Sequence, residues 1–568
     1  MDEYKEEEKK SEKQVVEKVT KLLSSYEQAT EDVRKEFIDI YNVYMGKMDS
    51  VQDTPYETKE SLPKLRTEIA YVKPFVFSGE PEIEIEGVGE EDKEMAKIFE
   101  QMVNYRIQQS IPNAYEKIES WVHQSVTFGT SLMKVIWRFN TEEVTEGEQT
   151  YEQVTMDEPD LDVPNILDVY YNPLIADVKD QPCLIFRSVL PLEEVKENPM
   201  YDFVGEDGKL NREKLEAQSN EQNTKNSSAL SGIDLASGQK KATEGMVEIY
   251  ELVDDDEILT IANGKALRQT PNKYGFINAV KLNHEPNTIP NRFNGMGVGQ
   301  NTIGLGRLHY KMWNQTVTNV KLGNNPMFLF KEGTNVDPKQ LVAKPAGGIK
   351  VKGEGSLGDL IQPLLFPDVK EGAIQILSKL DDEHKRASGA NDLVQGGTSN
   401  DTLGQDEIAQ ANTSNRFELI QRRFKHALAD VAEMILKMEL ENLQSVEAPI
   451  LRIFPQEMRE AIYQVIVQEG KNIKYNIKIK GETNVAKNKN LEAKRQVDMF
   501  NLMQNFLTDK EKRAFGRRIL ELQGIPNIDE LIAEENPIME QQQAMAMGQA
   551  PQPQMVGAET QAGLAQQV

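Results

Sequence analysis

Residues Gly389 to Gln405 read GANDLVQGGTSNDTLGQ. The stretch is polar and rich in glycine, so its backbone reaches conformations that other residues resist. Two apolar residues, Leu393 and Val394, stand alone among the polar ones. Segments of helical periodicity flank the stretch on both sides. Val369 to Ala387 runs into it, with Ala373, Ile376, Leu377 and Leu380 on one face. Asp406 to Asn442 leaves it and contains neither Pro nor Gly. There Phe417, Ile420, Phe424, Leu428, Val431, Ile435 and Met438 are spaced by threes and fours. That spacing predicts one continuous helix on the order of 55 Å long. A loop held between two helices is well placed to project into a central space.

Upstream, FNGMGVGQNTIGLG carries glycines at 295, 297, 299, 304 and 306. A dinucleotide fingerprint needs Gly at the first, third and sixth positions, and Gly299 falls at the fifth. No Gly-Lys-Ser/Thr follows, so a P-loop is also absent. The glycines read instead as close backbone approach leading into a helix from Thr302 to about Leu322. Leu305, Leu308, Met312, Val317 and Val320 supply its apolar positions, and Pro326 ends it. Residues 326 to 365 are rich in Gly, Pro and Lys. Short apolar pieces at Met327–Phe330, Ile349–Val351 and Leu360–Phe366 predict a small β-containing module.

The N-terminal half reads as an α+β domain ending near residue 290. Residues 11 to about 50 are helical in pattern, with Val15, Val16, Val19, Leu22 and Leu23 in one stripe among charges. A solvent-facing helical arm is the expectation there. Asp92 to Gln109 and Ala114 to Gly129 read as helices. SLMKVIWRF, Ser131 to Phe139, reads as a strand that the acidic run Thr141 to Leu161 interrupts. Glu80 to Val88, Val163 to Tyr171, Cys183 to Val189 and Met246 to Leu252 add short strands. Glu216 to Lys240 reads as a polar surface excursion. Beyond Pro449, a strand is expected at Leu451–Phe454, a helix at Gln456–Gln468 and a strand at Tyr475–Lys480. Two helices are expected at Asn488–Asp509 and Glu511–Leu522. From Pro537 the composition turns to Gln, Ala and Met, as in a disordered tail.

A chain of 568 residues is expected to form several domains or subdomains. Its hydrophobic fraction, 39%, lies below the roughly 45–50% of ordinary globular chains. The net charge of -27 argues against a general DNA-gripping surface, because duplex affinity comes from neutralising phosphates. A negative wall can still surround DNA and limit sticking. Cys183 is the single cysteine, so no intrachain disulfide is expected. The charged N-terminus has no apolar core of a signal peptide, and no apolar run is long enough to span a membrane.

Enzyme chemistry finds no foothold. His123, His284, His309, His384 and His426 show no metal-binding spacing, and GxSxG is absent. Asp254, Asp255 and Asp256 read as a solvated turn rather than a magnesium site. No catalytic, cofactor or metal site is expected.

Pro286 to Phe424 is similar to the portal, or head–tail connector, proteins of tailed bacteriophages, in the podovirus-type branch. FNGMGVGQNTIG, WNQTVTNV, KLGNNPMFLF, PAGGIKV, IQPLLFPDV, VQGGTSNDTLGQ and NTSNRFELIQRRF carry the likeness, in that order. FGTSLMKVIW upstream and KGETNVAKNKNLEAKRQVDMFN downstream extend it. The loop departs from a common TAxE-like motif, with Leu403, Gly404 and Gln405 after Thr402.

The resemblance implies an α+β, mainly helical portal fold that forms a ring of about twelve copies. Residues 1–295 would be wing with an N-terminal arm, 296–322 and 369–388 paired stem helices, and 323–368 the clip. Residues 389–405 would be the tunnel loop, 406–442 the long wing–crown helix, 443–536 the crown and 537–568 the tail. Leu305, Leu308, Met312, Trp313, Ile376, Leu377 and Leu380 are the candidate stem-packing residues. Lys311, Lys321, Lys379, Lys385 and Arg386 are candidate phosphate neighbours in a channel. Leu393, Val394, Gln395, Gly396, Gly397, Thr398 and Asn400 are the tunnel-loop candidates. The implied partners are double-stranded DNA passing without sequence readout, a terminase motor, capsid and scaffolding proteins, and a neck or tail adaptor. The implied place is the capsid vertex of the virion, after assembly in the host cytoplasm. The competing readings are an elongated acidic scaffold or adaptor without a channel, and a metal-dependent nuclease.

Overall fold

The computed structural model describes residues 11–45, 63–77, 81–146, 149–205, 207–216, 245–324, 327–330, 356, 361–364, 371–389, 403–470 and 473–480. It also describes 496–497, 499–500, 512 and 515–516. The chain divides into two compact units, Met1–Thr483 and Asn484–Val568. In the second unit the described residues are helical, and the Phe500 and Phe515 rings lie 6.2 Å apart. The first unit mixes helices with small open sheets around one long helix.

Helix α1 spans Glu12–Met45 and serves two cores. Its first half packs Val15, Val19 and Tyr26 against Ile185, Leu252, Leu259 and Ile261. Its second half sends Phe37, Ile40 and Val43 into the main core. The expected solvent-facing arm is therefore built into the fold. Most of its charged residues occupy the outward face, and the apolar stripe finds a sheet to cover. Arg34 is buried with it, 4.5 Å over the Tyr170 ring and donating to the Val169 carbonyl at 3.4 Å.

Helix α2 (Pro63–Val76) is followed by strand β1 (Glu82–Gly87), α3 (Lys93–Tyr105) and α4 (Ala114–Phe128). Gly129 then closes α4 at φ 81°, where any side chain would be strained. Strand β2 (Thr130–Glu146) and β3 (Gln149–Asp162) follow as an antiparallel pair. The acidic run thus continues the strand instead of interrupting it. A ribbon that leaves the core needs no apolar alternation, because each strand satisfies the other's backbone hydrogen bonds. Close to the core, Thr130–Lys134 pairs on its other side with β9 (Ala279–Asn283).

A five-stranded antiparallel sheet has the order β4-β5-β6-β7-β8. Its members are Val169–Tyr170, Leu184–Pro191, Met246–Val253, Glu257–Ala262 and Lys265–Pro271. The short α5 (Leu192–Glu197) leaves from β5. The strand expected from Val163 begins as a 3-10 turn, Ile166–Asp168, because the Asn165 side chain accepts from the Leu167 amide.

Helix α6 (Val298–Asn324), strands β10 (Met327–Phe330) and β11 (Ile361–Leu364), and helix α7 (Glu371–Ser388) come next. Helix α8 (Leu403–Asn442) is the spine, about 60 Å long at 1.5 Å per residue. All seven residues of its threes-and-fours series, Phe417 to Met438, are buried. Phe424 stands 5.4 Å from the Phe77 ring and 6.2 Å from Trp121, at the centre of the main core. The expected strand at Leu451–Phe454 is instead a 3-10 turn, Pro449–Ile453. Proline at its first position fixes φ, and Leu451 N–H bonds back to the Ala448 carbonyl. Helix α9 (Gln456–Glu469) leads to β12 (Tyr475–Lys480), which pairs with β1. Ile83 and Ile85 point inward from that pair, while Glu82 and Glu84 face Lys480 and Lys478 in register.

Candidate functional site

The site grows from a helical hairpin and its anchor. The anchor is the glycine-rich approach to α6. A Cβ on Gly297 would lie 2.4 Å from the Gly129 nitrogen, and one on Gly295 would lie 2.3 Å from the Glu285 carbonyl. Only bare backbone fits there. Gln300 secures the start of α6: its side chain accepts from the Gly297 amide and donates to the Phe128 carbonyl at 2.7 Å. Beside it, Phe293 stacks on Tyr171 at 4.0 Å, and the Tyr171 hydroxyl donates to Asn294 at 2.7 Å. Burial pushes the Tyr171 hydroxyl up to about 12. Lys281 lies 4.7 Å over Phe293, and burial pulls its ammonium down to about 8 while Asp177 opposes the shift. The close packing of backbone and rings fixes the direction in which α6 leaves the body.

Helices α6 and α7 then pack antiparallel. His309 Nε2 stands 3.2 Å from the Asp381 carboxylate, and Gly306 faces His384. Tyr310, Asn314 and Thr318 on α6, and Leu377, Leu380 and His384 on α7, are buried between the helices or against the body. Trp313 is half-buried and lies parallel to His309, with centroids 6.4 Å apart. At the outer end the two helices are bridged by β10 and β11, paired antiparallel with Phe330 opposite Ile361. Arg307 ties the inner end to Asp39 of α1 at 2.9 Å.

The candidate packing residues divide between two environments. Leu377 and Leu380 are buried. Leu308 is 46% exposed and Ile376 48%, and Ile374, on another side of α7, is 59% exposed. Leu305, Leu308 and Met312 recur at threes and fours, so they share one stripe of α6. That stripe lies away from the face that carries Tyr310 and Asn314. Of the basic candidates, Lys311, Lys379 and Arg386 are exposed, and Lys321 and Lys385 are half-buried. Lys379 and Arg386 lie seven residues apart, two helical turns, on one side of α7.

Gly389 closes α7 in the left-handed conformation, φ 80°, its amide bonding to the Lys385 carbonyl. Leu393, Val394, Gln395, Gly396, Gly397, Thr398 and Asn400 lie outside the described residues, as does Ile349–Val351. The spine begins at Leu403, so Leu403, Gly404 and Gln405 belong to α8 and not to the loop. Sequence reasoning missed the His309–Asp381 pair, whose members lie on separate helices; a histidine and an aspartate without a motif gave no signal.

Among the described residues no group of three or more His, Cys, Asp and Glu is placed to hold a metal ion. Among them, too, no helix is long and apolar enough to cross a membrane.

A glycine-anchored helical hairpin, capped by a two-stranded sheet, leads on to a long helical spine. The family model described as the phage SU10 portal protein matches residues 72–168 and 154–568. The chain belongs to this family of phage portal proteins, which are structural and non-catalytic. No curated protein matches the chain.

Proposed function

We propose that copies of this chain close side by side into a ring of about twelve at a capsid vertex, with the α6–α7 hairpins lining the hole. Double-stranded DNA enters and leaves the phage head through that hole. The carrying observation is the exposed apolar surface on two flanks of one slender hairpin, Leu308 on α6 and Ile376 on α7. A single hairpin cannot cover both flanks. A heterologous contact, the α6 stripe of one copy against the α7 flank of the next, covers both at once. In this reading residues 1–295 form the wing, 323–368 the clip that docks a terminase motor and later a neck adaptor, and 443–536 the crown.

Lys311, Lys321, Lys379, Lys385 and Arg386 neighbour the phosphates. Such contacts carry no sequence information and weaken with salt. The net charge of -27 keeps the rest of the ring from holding the duplex. Leu393 and Val394 form a compliant collar on a loop that Gly396 and Gly397 let move.

Negative-stain images of the purified chain are the direct test. Closed annuli with a central hole wide enough for a duplex support the ring. Rods or compact dimers at every concentration overturn it. The loop has its own test, deletion of Leu393 to Ser399. Rings should still form, while packaged or retained DNA falls; undiminished packaging would remove the loop from the mechanism.

A further inference from the structure

Near the C-terminal end of α8 lies a buried cluster with more acid than base. Helix α3 ends in a π-helical turn, Arg106–Ser110, where the Ile111 amide bonds to the Arg106 carbonyl five residues back at 2.8 Å. Such turns re-aim a side chain out of the regular helical ladder and concentrate at functional positions. Here the re-aimed side chain is Arg106, which is 2% exposed. Its Nε donates to the Glu439 carboxylate of α8 at 2.5 Å, and its Nη1 donates to Glu158 of β3 at 3.0 Å and to the Ser110 hydroxyl at 2.8 Å. Ser110 in turn donates to Glu158. Asp157 is the next residue on β3, accepting from the Trp137 indole of β2 at 2.9 Å.

One guanidinium therefore serves Glu439 and Glu158, with Asp157 close by. From the 272–276 turn, Lys273 bonds to Asn442 and faces Glu441 and Asp157, and Tyr274 bonds to Asn442 at 3.1 Å. Lys437 on α8 is paired with Glu433 at 2.8 Å. None of these bases adds a second cation to Glu439.

We propose that this cluster is a proton-dependent latch between the C-terminal end of α8 and the base of the β2–β3 ribbon. With Glu439 protonated, Arg106 is balanced by Glu158 and the three elements stay clamped. When Glu439 gives its proton to solvent, a second negative charge is left in a site almost closed to water, and the clamp weakens. Burial pushes the Glu439 carboxyl up to about 7; Arg106 pulls it back, and Asp157 and Glu158 push it further up. An acid whose pKa is raised on folding stabilises the fold fully below its unfolded value. That contribution is lost as pH rises through the folded value. The window runs from the ordinary carboxylate range to about 7.

Hydrogen exchange read by mass spectrometry on the full chain tests this at about pH 6 and about pH 8, after correction for intrinsic exchange. Protection in peptides covering 100–112 and 434–444 should fall about tenfold at the higher pH, with peptides from α1 unchanged. Glu439→Gln should abolish that fall, since its amide stays neutral at both values. Equal protection at both pH values in the unsubstituted chain overturns the latch, and so does a fall that persists in Glu439→Gln. The comparison in the unsubstituted chain stands by itself if the variant does not fold.

Discussion

Arg106→Met should destabilise the first unit by about 3–5 kcal/mol at pH 8, the range for removing one partner of a buried ion pair. The methionine replaces much of the arginine's volume, so lost packing is the smaller part. The larger part is Glu439, which keeps its place in the core with its guanidinium gone. It must then hold an uncompensated charge or bind a proton. Binding a proton costs more as pH rises, so the loss should shrink at about pH 5.5. The sign follows from the raised carboxyl: without Arg106 it rises further, and stability falls more steeply with pH through that range. Adding Glu439→Leu should recover most of the loss, because an apolar pair of similar volume avoids the desolvation that the ion pair must offset. Urea titrations of both variants at the two pH values check this. A single substitution costing under about 1 kcal/mol would show that the pair is not closed to water.

The elements legible in the sequence are those whose causes are local. The spine was readable because Phe417 to Met438 repeats at helical spacing with no Pro or Gly to break it. The glycines at 295, 297 and 299 were readable as close approach, but their partners, Gly129 for the first two and the Thr127 carbonyl and Ile40 for Gly299, lie far back in the chain and only the fold brings them there. The β2–β3 ribbon was half-read: its apolar start showed, and its acidic continuation did not, since no core imposes a pattern on it. Strands β7, β8 and β9 went unread, for their short segments become strands through neighbours. Arg106 and Glu439 are separated by 333 positions, and each looked like one more charge on a helix. For the hairpin, periodicity identified the apolar positions of α6 and α7. It could not say that Leu377 and Leu380 turn inward while Leu308 and Ile376 stay outside. That distinction depends on how two helices meet, and it matters most for assembly.

Leu308→Glu combined with Ile376→Glu should abolish ring formation while leaving the single chain folded. Both residues are about half exposed in one copy, so a carboxylate at either remains in water until a neighbour arrives. Surface changes of this kind alter chain stability by about 0.5 kcal/mol or less. Association is different. In a closed heterologous ring every copy presents the same two flanks, so each interface would receive both new charges. Burying them unpaired costs about 3–5 kcal/mol per contact, equivalent to roughly two to four decades of affinity. Closure multiplies the effect, because one annulus requires every contact to form. Leu380→Glu is the contrasting variant: Leu380 is buried within the single chain, so its substitution should unfold the hairpin before assembly is reached. Lys379→Ala should leave rings intact, since Lys379 is exposed and the change brings no new charge to the contact. Mass photometry and thermal melts separate these outcomes. Rings from the Leu308→Glu/Ile376→Glu chain would mean that the hairpin flanks face solvent in the assembly, and that copies meet through another surface.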